Sequence, residues 1–234
     1  MPHRIGQSIL YGAGYFRLLL SHSADRAGRT LPRLEREAEE AVLIVPGFLA
    51  PRSLMLPLEL RFERSGVPAF TIDFGLTTAL PFSMVKERLV RAIDDVRFHN
   101  PLLTHLSIVA HSMGGVIAAE VIADGAIEGL RVTLVTLGSP FSGSWAALMG
   151  CPISFSAYEM LPIHPRYAPQ NGSRKRVSVP FLSIAGQDDI LVPAERCEHP
   201  DAVYHPMPVD HAGLLFRKSV FRVAKDFIAT GKIQ

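Results

Sequence analysis

Between the apolar runs Leu106-Ser107-Ile108-Val109 and Val116-Ile117-Ala118-Ala119 stand only Ala110-His111-Ser112-Met113-Gly114-Gly115. Two apolar segments this close, with no polar loop between them, fit a strand that bends sharply into a helix. Such a bend needs small neighbours, which Ala110, Gly114 and Gly115 supply. It would hold the Ser112 hydroxyl beyond the carboxyl edge of a sheet, beside helix N–H groups that lack an intrahelical partner. That is the geometry of a nucleophile elbow, with Ala110 in place of the first glycine of Gly-x-Ser-x-Gly. A serine that only N-caps a buried helix is the competing reading.

Short aliphatic runs recur at 41–45, 68–73, 106–110, 131–137, 179–185 and 202–206. Helical patterns separate most of them. Val85, Leu89, Ala92, Ile93 and Val96 make one stripe on a helix opened by Pro81 to Ser83. Leu214, Leu215, Val220, Val223, Ala224, Phe227 and Ile228 share a face after His211. This alternation predicts an α/β fold, a mainly parallel sheet of about six strands flanked by helices. At 234 residues and 48% hydrophobic content, one domain over 41–234 can cover such a sheet on both faces.

Two further signals follow Ser112 in chain order. Phe181-Leu182-Ser183-Ile184-Ala185-Gly186 reads as a buried strand, followed by Gln187-Asp188-Asp189 and Val192-Pro193. Ala202-Val203-Tyr204 opens another strand, which leads through Pro206 to Asp210-His211. Serine, acid and histidine each stand just past a strand, at the edge where parallel sheets bind ligands.

These segments, with Val42-Leu43-Ile44-Val45-Pro46-Gly47-Phe48-Leu49 and Leu137-Gly138-Ser139-Pro140, resemble the α/β-hydrolases of the compact bacterial esterase/lipase kind. The likeness spans residues 41 to 230. Pro46 departs from it, because relatives commonly carry a histidine there. The resemblance implies a catalytic triad of Ser112, Asp189 and His211. The family spacing Gly-x-x-Asp-x-x-Val-Pro, counted from Gly186, selects Asp189 over Asp188; Asp210 adjoins the histidine, and neighbouring loop side chains diverge. His205 is the rival base, but it lies beside or in a strand. His111 is expected to pack beside the elbow, and His99, His105, His164 and His199 to cap or face solvent. The resemblance also implies an oxyanion hole from the backbone N–H groups of Phe48 and Met113, with Leu49 as the alternative to Phe48. Pro46 has no N–H to give.

From 141 to 178 the pattern changes. Pro152, Pro162, Pro165 and Pro169 interrupt a stretch with Trp145, Leu148, Met149, Phe155, Tyr158, Met160, Leu161 and Ile163. It is similar to a lipase cap that covers the serine and lines an acyl pocket; an irregular excursion packed on the sheet is the alternative. Residues 1–40 form a separate helical or connector segment. In it, Ser8 to Leu20 is apolar but broken by Gly12, Gly14 and Arg17, and too short to span a bilayer. A signal peptide and a helix lying on the core or on lipid both remain open for it.

Charge is nearly balanced, at 24 basic and 22 acidic residues, so nothing points to nucleic acid. Arg174-Lys175-Arg176 reads as a solvated loop. Cys151 and Cys197 could pair or stay free. No His-Glu-x-x-His, Cys-x-x-Cys or Gly-x-x-x-x-Gly-Lys occurs, so neither a metal nor a cofactor is implied. The expected function is a serine esterase or lipase acting on small-molecule esters or lipids with medium or long acyl chains, cytoplasmic or at a membrane surface, with secretion as a further option. A thioesterase or acyltransferase on the same fold, and a non-catalytic scaffold that binds membrane or partner, are the alternatives.

Overall fold

Each aliphatic run becomes a strand: β1 (Glu40–Val45), β2 (Ala69–Thr71), β3 (His105–His111), β4 (Arg131–Leu137), β5 (Phe181–Gly186) and β6 (Val203–Met207). The computed structural model describes residues 38–167 and 175–233. The strands lie in the order β2-β1-β3-β4-β5-β6, and every neighbouring pair is parallel.

Alternate side chains of each strand enter opposite apolar layers. On one face Leu43, Val45, Ile108 and Leu134 meet Val85, Leu89 and Ile93 of α2 (Phe82–His99) and Val116 of α3 (Met113–Ala123). On the other, Val42, Ile44, Val109 and Val135 meet Leu58 and Phe62 of α1 (Arg52–Arg64) and Phe227 near the C-terminus. Burial on both faces explains why these strands read as largely apolar runs rather than as alternating ones.

Strand order also fixes where a site can form. The chain runs outward from β1 to β2, then crosses back so that β3 lies on the other side of β1. At such a reversal the connections leave β1 and β3 in opposite directions and open a crevice at their carboxyl ends. The loop holding Phe48 follows β1, and Ser112 follows β3.

After His211 the single expected helix is two, α5 (Gly213–Phe216) and α6 (Lys218–Thr230). Arg217 between them is extended, at φ −77° and ψ 131°. Leu214 and Leu215 still share a core with Val220 and Phe227, which is why one apolar stripe read across the break.

Among its described residues, the insertion after β4 holds only short pieces: 3₁₀ turns at Trp145–Met149 and Pro165–Tyr167 and one helical turn, α4 (Phe155–Glu159). Residues 1–37, with both readings of Ser8 to Leu20, lie outside the described residues, as do Pro169 and Arg174. Among the described residues no helix is long and apolar enough to cross a membrane. Both cysteines are free. Burial pushes the Cys197 thiol far above its ordinary range, which makes it a poor thiolate nucleophile.

Candidate active site

Ser112 occupies the turn between β3 and α3 with φ 52° and ψ −128°. This backbone region costs a non-glycine residue about 1–3 kcal/mol and is kept only where surrounding packing over-determines it. The packing is visible. A Cβ on Gly114 would collide with Pro46 O and stand 2.8 Å from Val45 O, and one on Gly115 would stand 2.8 Å from Ser139 Cβ. The start of α3 is thus pressed against the ends of β1 and β4, as the small residues in this turn implied. Ser112 accepts no helix N–H through its side chain, so it is not an N-cap in the ordinary sense.

His211 stands at the same edge. Its Nδ1 lies 2.6 Å from Asp189 Oδ2, and both side chains are buried. The other carboxylate oxygen, Oδ1, accepts the N–H groups of Leu191 and Val192, both at 2.9 Å. A carboxylate oxygen suits Nδ1 as its hydrogen-bond partner, which leaves Nε2 as the ring nitrogen not engaged by Asp189. A Cβ on Gly138, at φ 62°, would approach His211 Nδ1 to 3.1 Å. The Ser112 N–H donates to Leu137 O, one residue earlier. Serine and imidazole therefore flank the end of β4. Among the described residues neither Ser112 Oγ nor His211 Nε2 has a hydrogen-bond partner.

The loop after β1 completes the crevice. A Cβ on Gly47 would lie 2.9 Å from Ser112 Cβ and 3.1 Å from His111 O, which places this loop directly against the serine. Among the described residues the N–H groups of Phe48 and Met113 donate to nothing. Leu49 N–H, the alternative to Phe48, is already committed to Thr78 Oγ1 at 3.0 Å.

The remaining candidates separate clearly. Asp188 is exposed. Asp210 Oδ1 accepts the Gly213 N–H at 2.7 Å and so starts α5. His205 lies within β6. His111 is buried with its ring 4.6 Å from that of His211, and its Nε2 is 3.4 Å from the His211 carbonyl. Burial, reinforced by repulsion from His211, holds the His111 imidazole well below its usual pKa. His199, expected to cap or face solvent, is buried between Phe141 and Phe181 while its Nδ1 accepts the Asp201 N–H.

Two features escaped the sequence. Thr78, which holds Leu49, sits in a short 3₁₀ turn (Gly75–Ala79) with no motif around it. Most of the insertion's apolar side chains face outward: Trp145, Leu148, Met149, Phe155, Tyr158 and Ile163 are exposed, whereas Met160 and Leu161 are buried. A cleft of about 360 Å³ beside the insertion is lined by Lys86, Glu120, Asp124, Arg166 and Lys175 among others, and excludes Ser112, Asp189 and His211.

Solved structures share this fold. A Bacillus licheniformis lipase in its mature form superposes with a TM-score of 0.63 at 14% identity, over 87% of this chain and 94% of that one. Aspergillus fumigatus lipase B gives 0.68 at 11% identity over 89% of this chain, which spans only 56% of that enzyme. A lipase-esterase related protein from Clostridium acetobutylicum gives 0.58 at 14% identity, over 85% and 98%. At these identities the likeness is one of fold. No curated protein sequence matches significantly. The profile of the PGAP1-like alpha/beta domain matches residues 75–221, well over half of the 234 residues and inclusive of Ser112, Asp189 and His211; the chain belongs to that family.

Proposed function

We propose that this protein is a serine hydrolase that cleaves carboxylic esters through an acyl-enzyme. The observation that carries the reading is the buried Asp189–His211 pair beside a serine held at positive φ. A hydroxyl is a weak nucleophile until a base takes its proton. In this reading His211 Nε2 is that base. Asp189 fixes the tautomer and stabilises the imidazolium that forms. The link between the imidazole and Ser112 would close on substrate binding, since catalytic hydrogen bonds commonly tighten only then. The tetrahedral oxyanion takes the unused N–H groups of Phe48 and Met113, the backbone-donor arrangement of an oxyanion hole.

The acyl group is apolar and of medium or long chain. The outward-facing Trp145, Leu148, Met149, Phe155 and Ile163 support this, because an insertion that exposes so many large apolar side chains suits a lipid-like partner better than a small polar one. In this role the insertion acts as a cap. Lipid substrates would also bring the protein to a membrane surface.

Purified protein should hydrolyse p-nitrophenyl esters, fastest for chains longer than acetate. Ser112→Ala is expected to lower turnover roughly a millionfold, the scale known for serine triads. Hydrolysis by that variant at the wild-type rate would end the proposal.

A further inference from the structure

We infer that Thr78 is a positioning residue for the oxyanion loop, and that the insertion holds it in place through Ser156. The inference rests on the acyl-transfer reading above and adds to it a group that hydrogen-bonds to neither Ser112 nor His211.

Leu49 has φ 47°, and besides Ser112 it is the only non-glycine residue with positive φ among the described residues. A leucine enters this region only against a steric penalty, so something must hold it there. Two hydrogen bonds hold it: the Ala50 N–H closes a turn onto Gly47 O at 3.3 Å, and Thr78 Oγ1, only 1% exposed, accepts the Leu49 N–H at 3.0 Å. The second bond pins the peptide joining Phe48 to Leu49. Rotation about the Phe48 Cα then governs where the Phe48 N–H points. The Phe48 ring is clamped as well: it packs on Gly150 of the insertion, beside the Ala157 methyl. With ring and following peptide both held, the Phe48 N–H has little freedom to turn.

Thr78 is anchored in turn. Its own hydroxyl reaches Gly75 O at 3.3 Å, and its carbonyl accepts the Ser156 hydroxyl. Ser154 Oγ bonds Ala79 O at 3.1 Å and meets Ser156 Oγ at 2.9 Å. Ser154 and Ser156 are both buried. A hydrogen-bond path therefore runs from the insertion through Thr78 to the residue after Phe48. A threonine is suited to this position because it accepts at Oγ1 while filling the apolar space around it; valine would keep the volume and leave the Leu49 N–H unsatisfied.

The measurement is kcat per active serine, with active sites titrated by a fluorophosphonate, for wild type, Thr78→Val, Thr78→Ser and Ser156→Ala. Thr78→Val is expected to lower kcat by about 10- to 100-fold with KM within about twofold, a loss smaller than that from deleting an oxyanion donor outright. The affinity of a trifluoromethyl ketone, which mimics the tetrahedral intermediate, should weaken in parallel. Thr78→Ser should recover most of the rate, and Ser156→Ala should show a smaller loss of the same kind. A role in folding alone would instead reduce the titratable fraction and Tm, leaving kcat per active serine and ketone affinity unchanged, and that result overturns the inference. If Thr78→Val yields no folded protein, Ser156→Ala decides: unchanged kcat and ketone affinity in that variant refute it. Wild type that neither hydrolyses esters nor takes the phosphonate removes the acyl-transfer reading, and this inference with it.

Discussion

The carboxyl edge of β3 and β4 and the insertion that follows β4 are built in opposite ways. At the sheet edge, position is set by steric contact between backbones and small residues: α3 rests on Pro46 and Val45, and Gly47 lies against Ser112. In the insertion, by contrast, hydroxyls and ion pairs do the holding. Ser144 Oγ donates to Leu191 O at 2.5 Å, Arg196 reaches Ser142 O at 2.9 Å, and Arg166 pairs with Glu120 at 2.8 Å and Glu159 at 3.3 Å. Close packing has few alternative arrangements, whereas a set of polar ties over short turns tolerates change. Under the proposed function, most of the reaction geometry would fall to the sheet edge and substrate choice to the insertion, which reaches that geometry only through Ser156 and the Phe48 ring.

If that division holds, removing charge at the edge should be far more damaging than removing apolar surface from the insertion. Asp189→Asn keeps the shape but no longer enforces the Nδ1-protonated tautomer, and is expected to lower kcat by about 10⁴-fold. Asp188→Asn, one residue away and exposed, should leave kcat within about threefold, since it lies outside the buried carboxylate–imidazole pair. Steady-state rates on one p-nitrophenyl ester compare the two directly. Equal losses would mean that the adjacent carboxylates share the role.

The insertion gives the middle-sized effect. Leu148→Ser, Phe155→Ser and Ile163→Ser combined remove three exposed apolar side chains. The variant should lose about tenfold in kcat/KM on a long-chain ester and change little on acetate, on the scale of about 1–3 kcal/mol for lost apolar contacts to a substrate. A uniform loss across chain lengths would instead place these residues in the reaction geometry.

The same division governs what the sequence disclosed. Strands β1 to β5 appeared as largely apolar runs. A parallel sheet covered on both faces admits only small or hydrogen-bonded polar side chains, such as Ser107, Thr133, Thr136 and Ser183. Edge strand β6 is instead mixed and partly exposed. Ser112, Asp189 and His211 stood out because each follows a strand end with a local signature of small or paired residues. Helix α1 was far less legible, since Pro57 interrupts it and its core residues Leu54, Met55, Leu58 and Phe62 sit among charged ones. Thr78 was invisible for a different reason. Its partner Leu49 is 29 residues away, and a threonine in a turn has no signature until the fold brings the two together. The break at Arg217 was hidden by an apolar stripe that two short helices share.

His111 gives the smallest effect, and one that separates support from chemistry within the sheet edge itself. Its ring touches that of His211, yet it is buried with Nδ1 unpartnered, and its folded pKa lies well below that of the unfolded chain. The sign follows from proton counting. Above about pH 6.5 both states carry a neutral imidazole, and His111 makes no difference to pH dependence. As pH falls below that value the unfolded chain takes up a proton that the native state refuses. Unfolding is then favoured, with a slope approaching about 1.4 kcal/mol per pH unit until the folded pKa is reached. Denaturant unfolding of wild type and His111→Gln at pH 7.5 and pH 5.5 isolates the contribution. Wild type should lose about 1 kcal/mol more than the variant between those values, whatever the variant's stability at pH 7.5. Equal losses would show that His111 protonates in the folded protein. It would then carry positive charge against His211, and the imidazole pair would have to be treated as one titrating unit rather than as a neutral support beside a base.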